Sequence, residues 1–172
     1  MLFDLGMNTR DLYNKKMVRK KIKEVEESFD LVMIAEQFDE SIVLLKNELC
    51  WEVEDVTSFH LNGRKQQIKS KLDETTKSLL RDYLKSDYLL YNHFLKIFNT
   101  KVRAVGKYRM SIEVAALKEA NRKVYDSCSV EATENGKLKG NQKWYGPGYL
   151  IGYQVNNMSN KDCLLMTMSG LK

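Results

Sequence analysis

The sequence contains a single proline, Pro147, and long stretches of its 172 residues contain no glycine. Because these two residue types interrupt regular structure most strongly, their scarcity favours a chain with much helix. No run of about 18 apolar residues is present, so the sequence predicts no membrane-spanning helix. The first seven residues also lack the basic-then-apolar order of a secretory signal.

Residues for metal binding and for nucleophilic catalysis are scarce as well. The two histidines are His60 and His93, and neither belongs to a cluster of cysteines and carboxylates, so we expect no metal. No arrangement of serine or cysteine with histidine predicts a hydrolase. The phosphate-binding patterns GxxxxGK[ST] and GxGxxG are also absent.

The net charge of +5 is concentrated near the start of the chain. We interpret this basic cluster as a solvated helix face, although it could attract an anionic nucleotide or membrane surface. Nucleic acid is not an expected partner, because neither interleaved aromatics nor a known binding module accompanies the charges. The cluster comprises Lys15, Lys16, Arg19, Lys20, Lys21 and Lys23.

The three cysteines are too far apart for a zinc knuckle or a redox CxxC motif. Cys50 lies at an apolar helix end, so a buried thiol is expected. Cys128 and Cys163 bracket the glycine-rich C-terminal part and could form a disulfide in an oxidising compartment. In a cytosolic protein the same two residues would be free thiols.

Apolar periodicity predicts a helix from Asp11 to Ser28, followed by a strand-length apolar run from Phe29 to Ala35. The near-continuous hydrophobicity of this run is typical of an interior strand covered on both faces. The next helix is expected to begin at Asp39, because carboxylates suit a helix N-terminus. Its apolar stripe would be Phe38, Ile42, Leu45 and Leu49. This order indicates an α/β fold that is predominantly helical with few strands.

Later segments predict two more helices, with Asp73 or Thr75 as the first cap and a break near Asn99-Thr100. The first is lined by Leu80, Leu84, Tyr91, Leu95 and Phe98, and the second by Val105, Tyr108, Ile112 and Leu117. Residues 131–142 are expected to be a polar turn region, and 150–155 a short extended piece. The tyrosines and Trp144 could stack on sugars, but core packing is the default expectation.

Glu36, Asp39 and Glu40 crowd the predicted strand-to-helix turn. Ligands of open α/β sheets bind beyond the carboxyl ends of strands, so these carboxylates could bind sugar hydroxyls or orient a catalytic group. The alternative is that Asp39 caps the helix and the other two are solvated.

The loop with Asn62, Arg64 and Lys65 offers cations that could close over nucleotide phosphates, or it is an exposed basic loop. Asn157 begins an N-glycosylation sequon, which matters only if the chain enters the secretory pathway.

The segment Phe29–Trp51, with its FDES, LLK and LCW runs, resembles the galactose 3-O-sulfotransferase family. The start MLFDLG and the IGY run at 151–153 extend the resemblance over nearly the whole chain. Cys128 and Cys163 fall near positions where the family also has cysteines.

The resemblance implies a P-loop-type sulfotransferase fold. It also implies transfer of sulfate from 3′-phosphoadenosine 5′-phosphosulfate to the 3-hydroxyl of galactose on galactosylceramide or related glycolipids and glycans. Family members are glycoproteins on the lumenal side of the Golgi membrane. We expect the turn with Glu36, Asp39 and Glu40 to give acceptor or active-site support. By resemblance, Asn62, Arg64 and Lys65 would contact the donor nucleotide; no residue is assigned as the base.

Full-length members carry the membrane anchor, a PKT-type donor loop and the base before their MLFDLG-like stretch. We therefore expect residues 1–172 to be the C-terminal part of one sulfotransferase domain that neither binds donor tightly nor turns over alone. Two alternatives stay open: a shortened, non-catalytic glycan-binding or homo-oligomerisation module, and a basic helical protein on anionic surfaces.

Overall fold

The computed structural model describes residues 1–59, 72–138, 147–156 and 160–167. The helices are α1 (Lys15–Ser28), α2 (Phe38–Glu48), α3 (Glu74–Tyr83), α4 (Lys85–Val105), α5 (Lys107–Cys128) and α6 (Lys161–Thr167). The strands β1 (Val130–Glu134) and β2 (Ile151–Val155) form a two-stranded antiparallel sheet. The expectation of a mostly helical chain with few strands is thus confirmed. The chain divides into two compact units, 1–48 with 72–111 and 49–71 with 112–172.

The core of the first unit forms where α1 packs against α4. Val18, Ile22 and Val25 of α1 are buried at the predicted helical spacing, and they join Leu90 and Phe94 of α4 in one cluster. The helix starts after Asn14, whose Oδ1 accepts hydrogen bonds from the backbone N–H groups of the second and third helical residues, at 3.0 and 3.3 Å. Apolar periodicity therefore predicted this helix well.

The predicted interior strand over residues 29–35 is not paired in the structure. The backbone is extended at Phe29 (φ −128°, ψ 124°) and at Ile34 (φ −108°, ψ 115°). In the described part of the chain, however, the ladder joins only β1 and β2. Ala35 itself begins a 3-10 turn, Ala35–Gln37. A strand needs a neighbour for its backbone groups, and an apolar run alone does not supply one.

Helix α2 is present as predicted, but its burial differs from the predicted stripe. Ser41 and the three residues after it are buried, whereas Phe38 is 46% exposed and Leu49 is 45% exposed. Four consecutive buried positions mean that the helix is covered around most of its circumference at this level. Cys50 is exposed, with φ of +53°, so the expectation of a buried thiol is wrong. The helix ends at Glu48, and the chain turns into solvent before the cysteine.

The first of the two later predicted helices is divided in the structure, and the break that follows it comes later than predicted. α3 and α4 break at Leu84, and α4 then continues through Asn99-Thr100, where a break was expected, to Val105. Thr100 is accommodated within the helix because its hydroxyl donates to the Lys96 carbonyl at 3.0 Å. The helix stops at Gly106, whose φ of +89° is costly for any other residue.

The second unit is built around the β1–β2 hairpin and a disulfide. β2 coincides with the predicted extended piece, whereas β1 replaces the polar turn expected from Glu131 onward. Val130 pairs with Val155, and Glu134 pairs with Ile151. Cross-strand pairing with an apolar partner strand therefore outweighed the polar composition of β1.

Helix α5 buries fewer of its predicted lining residues than expected. Leu117 is buried, but Tyr108 and Ile112 are exposed. Met110 and Ala120 are buried instead, so the buried positions are not those that periodicity selected.

Candidate functional site

The turn before α2 is fixed by Ser41. This side chain is fully buried, and its Oγ accepts from the Ile34 N–H at 3.0 Å and donates to the Ile34 carbonyl at 3.1 Å. The Gln37 N–H also donates to the Ile34 carbonyl, at 3.0 Å. These three hydrogen bonds satisfy the backbone of Ile34 and hold the residues between it and Ser41 in one conformation.

The three candidate carboxylates lie between Ile34 and Ser41, in the segment that these hydrogen bonds hold in place. Glu36 is exposed in the 3-10 turn, while Asp39 and Glu40 are partly exposed in the first turn of α2. Carboxylates are favoured there, because the free N–H groups and the helix dipole give the N-terminus a partial positive charge. Since adjacent helical positions do not face each other, Asp39 and Glu40 project in different directions. The three carboxylates thus lie close together along the chain. Their positions do not imply that their oxygens form one cluster.

A cleft in the first unit is lined by residues other than these three carboxylates. Its volume is about 520 Å³, and it lies where the segment before α1 meets the α3–α4 junction. The rings of Phe3, Tyr13 and Tyr83 line it and are mostly exposed, and Asp82 and Asp87 contribute carboxylates. Exposed rings can pack on the apolar face of a sugar, and a neighbouring carboxylate such as that of Asp82 can accept hydrogen bonds from its hydroxyls. Both oxygens of Asp87 already accept hydrogen bonds from the first two residues of the chain. The default expectation of core packing is wrong for Tyr13 and Tyr83.

A basic groove of about 500 Å³ lies between α1 and α4. Arg19, Lys23 and Lys96 line it, together with the pair formed by His93 and Glu26, whose Nε2 and Oε2 atoms are 2.8 Å apart. Helix α1 carries its basic residues on exposed positions, apart from the half-buried Lys21. The predicted solvated helix face therefore describes α1 well.

Several predicted site residues lie outside the described residues. They are Asn62, Arg64, Lys65 and Asn157. Within the ranges that the structure covers, no group of His, Cys, Asp and Glu side chains could hold a metal ion. Over the same ranges, no helix has the length and hydrophobicity needed to cross a membrane.

Cys128 and Cys163 form a disulfide that closes the second unit. It joins the end of α5 to α6 with a sequence separation of 35 residues. The bonded cysteines pack with a cluster of rings from Phe59, Tyr125 and Tyr153, whose centroids lie 4.5 to 5.5 Å apart. In the chain-entropy account, closing a loop of this length contributes about 3–4 kcal/mol to stability.

A family model described as galactose-3-O-sulfotransferase matches residues 1–157. The chain belongs to this family. It is 41% identical over 128 residues to galactosylceramide sulfotransferase from Homo sapiens, covering 74% of this chain and 30% of that protein. The Mus musculus galactosylceramide sulfotransferase is 39% identical over 164 residues, covering 90% of this chain and 38% of the relative.

Galactose-3-O-sulfotransferase 2 from Mus musculus is 37% identical over 129 residues, covering 74% of this chain and 33% of the relative. The chain therefore spans about a third of the length of these relatives. No solved structure matches it. Family membership agrees with the resemblance that the FDES, LLK and LCW runs carry.

Sequence reasoning missed Ser41 as the residue that fixes the turn. It is the fourth residue of the FDES run, and it stands directly before the apolar residues Ile42, Val43 and Leu44. A serine at a helix position with buried neighbours was the available signal, because a buried hydroxyl needs hydrogen-bond partners. Which backbone groups would supply them could not be inferred before the turn was seen.

Proposed function

We propose that this chain is part of a galactose 3-O-sulfotransferase domain of P-loop type that acts on the lumenal side of the Golgi membrane. The reaction would transfer sulfate from 3′-phosphoadenosine 5′-phosphosulfate to the 3-hydroxyl of galactose on galactosylceramide or a related glycolipid or glycan. The observation that carries this proposal is the family match over residues 1–157. The names of the relatives support a galactose-containing acceptor.

In this chemistry the galactose 3-oxygen attacks the sulfur of the donor. A bond forms between that oxygen and the sulfur, and the bond from the sulfur to the 5′-phosphate oxygen breaks. A base takes the hydroxyl proton, and cations stabilise the negative charge on the sulfuryl group and on the leaving phosphate. We assign neither the base nor a metal to this chain.

The turn bearing Glu36, Asp39 and Glu40 is proposed to support the acceptor. Its backbone is held by Ser41, so the residues on it keep a defined position. Glu36 is exposed, and Asp39 and Glu40 are partly exposed. A carboxylate accepts hydrogen bonds from sugar hydroxyls, and each such bond is stronger than a neutral one. Asn62, Arg64 and Lys65 are proposed to contact the donor phosphates, where cations are needed.

The test uses a chimera in which this chain replaces the matched part of the mouse galactosylceramide sulfotransferase. Steady-state kinetics with galactosylceramide are then compared for Glu36→Gln, Glu40→Gln and the control Glu27→Gln. Glu27 is an exposed α1 residue paired with Lys23, so its variant should behave like the parent chimera. We expect each of the first two variants to raise the acceptor KM roughly 10-fold, with the donor KM unchanged.

The same chimera distinguishes residues that contact the donor from residues that contact the acceptor. Arg64→Ala and Lys65→Ala should raise the KM for the donor and leave the acceptor KM unchanged, because cations at the phosphates do not touch galactose. If all four site variants match Glu27→Gln in both constants, the assignment of these residues is wrong. If the parent chimera transfers no sulfate, the proposed function itself is contradicted.

A further inference from the structure

The cleft between the segment before α1 and the α3–α4 junction is fixed by two consecutive residues of α4. The Ser86 hydroxyl donates to the Leu12 carbonyl, and the Asp87 Oδ1 atom accepts from the Leu2 N–H at 2.9 Å. Leu2 is itself fully buried. The segment before α1 is thus attached to the junction at two points, so the walls of the cleft are formed before any ligand arrives.

Three exposed aromatic rings surround the cleft, and each lies next to one of these attachments. Phe3 follows Leu2, Tyr13 follows Leu12, and Tyr83 ends α3 directly before the junction. Their exposed fractions are 62%, 80% and 76%. Among the residues that the structure describes, none of these three rings stacks on another ring. Large apolar groups that stay exposed around a concave surface indicate a place where a ligand covers them.

Charged groups of both signs also line the cleft without pairing. Over the described part of the chain, the side chains of Asp82, Lys15 and Lys85 have no hydrogen-bond or ion-pair partner. Asp87 differs, because its two oxygens accept from the first two residues of the chain. The cleft therefore offers a ligand one carboxylate that accepts hydrogen bonds and two ammonium groups that donate them.

This combination favours a ligand that carries hydroxyl groups. A hydroxyl both donates and accepts, so it satisfies Asp82 as well as the two lysines, whereas an anion would face Asp82 and a cation would face the lysines. The rings add apolar surface of the kind that packs on the C–H face of a sugar. The volume of about 520 Å³ lies within the range of about 300–1,000 Å³ that is usual for small-molecule sites. A flat lipid surface fits less well, because it cannot enter a cleft.

We propose that this cleft is a binding site for a neutral pyranose sugar. The three rings pack on the apolar face of the sugar, the Asp82 carboxylate accepts from its hydroxyls, and the ammonium groups of Lys15 and Lys85 donate to them. None of the three candidate carboxylates that precede Ser41 lines the cleft, so the site is built from other residues than the proposed acceptor turn. Binding there requires neither donor nor sulfate transfer, so the inference goes beyond the proposed function.

Saturation-transfer NMR with methyl β-galactoside tests the proposal on the full 172-residue chain without donor. We expect binding in the millimolar range, with saturation transferred to the protons of the sugar ring. Tyr13→Ala and Tyr83→Ala should each weaken binding about 5- to 10-fold, because each removes a ring face. The matched control is Tyr108→Ala, since Tyr108 is 79% exposed on α5 and does not line the cleft.

Variants of Asp82 test the role of the hydroxyl groups. Asp82→Ala should weaken binding of methyl β-galactoside about 10-fold, whereas Asp82→Asn should cost about 3-fold or less, because its amide oxygen still accepts. Cyclohexanol, a ring with a single hydroxyl, should bind more weakly than the galactoside and should not respond to either variant. Equal binding of the two probes would mean an apolar cleft and would overturn the proposal.

The remaining outcomes decide between ligands and between proposals. Absence of binding, or equal losses in Tyr13→Ala and Tyr108→Ala, would overturn the site. A sulfated galactoside that binds more tightly than the neutral one would overturn the assignment of a neutral ligand. Sedimentation with phosphatidylcholine vesicles that is lost in Tyr83→Ala, without any sugar binding, would show a lipid surface and overturn the proposal. Sugar binding by the chain together with an inactive chimera would support this site while contradicting the proposed function.

Discussion

Ser41 is the residue on which the geometry of the candidate turn depends most. Replacing it with alanine removes both hydrogen bonds to Ile34 and leaves a buried backbone N–H without its partner. We expect Ser41→Ala to lower the free energy of unfolding by about 1–3 kcal/mol, measured by denaturant titration.

Ser28→Ala is the matched control for this measurement. The Ser28 hydroxyl donates to the Glu24 carbonyl at 2.6 Å in a helix end exposed to water, which can replace the lost bond. Its cost should stay within about 0.5 kcal/mol. Equal costs for the two variants would contradict the role assigned to Ser41.

Single residues were predictable where local chemistry decides their role. Asp73 was one of two expected caps, and its Oδ1 accepts from the Thr76 N–H at 2.7 Å. Asp39 and Glu40 were expected at a helix N-terminus for the same local reason, and they lie in the first turn of α2. Cys50 was not predictable in this way, because its exposure depends on where α2 stops and how the chain then turns.

At the scale of one element, α3 depends on its N-terminal cap. The hydrogen bond from the Thr76 backbone N–H, together with the one from the Thr76 hydroxyl, holds the pKa of Asp73 below its ordinary value. A lowered pKa means that the fold favours the charged form. The cap therefore stabilises α3 at pH values above the pKa of the unfolded chain, and this stabilisation is lost as pH falls through the lower, folded-state pKa.

We expect the start of α3 to fray below about pH 4, seen as loss of protection at the Thr76 amide in an NMR titration. Asp73→Asn keeps an oxygen that can cap the helix but does not titrate, so its Thr76 amide should not respond to pH in this range. An identical pH response in both proteins would exclude Asp73 as the cause.

Helices and strands were predictable where the residue pattern of the segment itself determines its secondary structure. α1 followed from its apolar spacing, and β2 from a short extended run between turns. Pairing was not predictable, because it depends on distant residues. The polar Val130–Glu134 became a strand when Ile151–Val155 lay beside it, and the apolar Phe29–Ile34 did not pair in the described chain.

At the scale of the whole molecule, the family match crosses both compact units. Family membership could be inferred from the sequence because the FDES, LLK and LCW runs are specific. The division into two units could not, since it depends on which segments pack together and not on any linker composition. The candidate donor residues Asn62, Arg64 and Lys65 remain predictions of the sequence.

The measurement that tests the central claim most directly is sulfate transfer from labelled donor to galactosylceramide. The chimera and the isolated 172-residue chain are assayed side by side, with glucosylceramide as the control acceptor. The chimera should label galactosylceramide but not glucosylceramide. We expect the isolated chain to label neither, because it spans only about a third of the length of its relatives. A folded chimera that transfers no sulfate, or an isolated chain that does, would contradict this account.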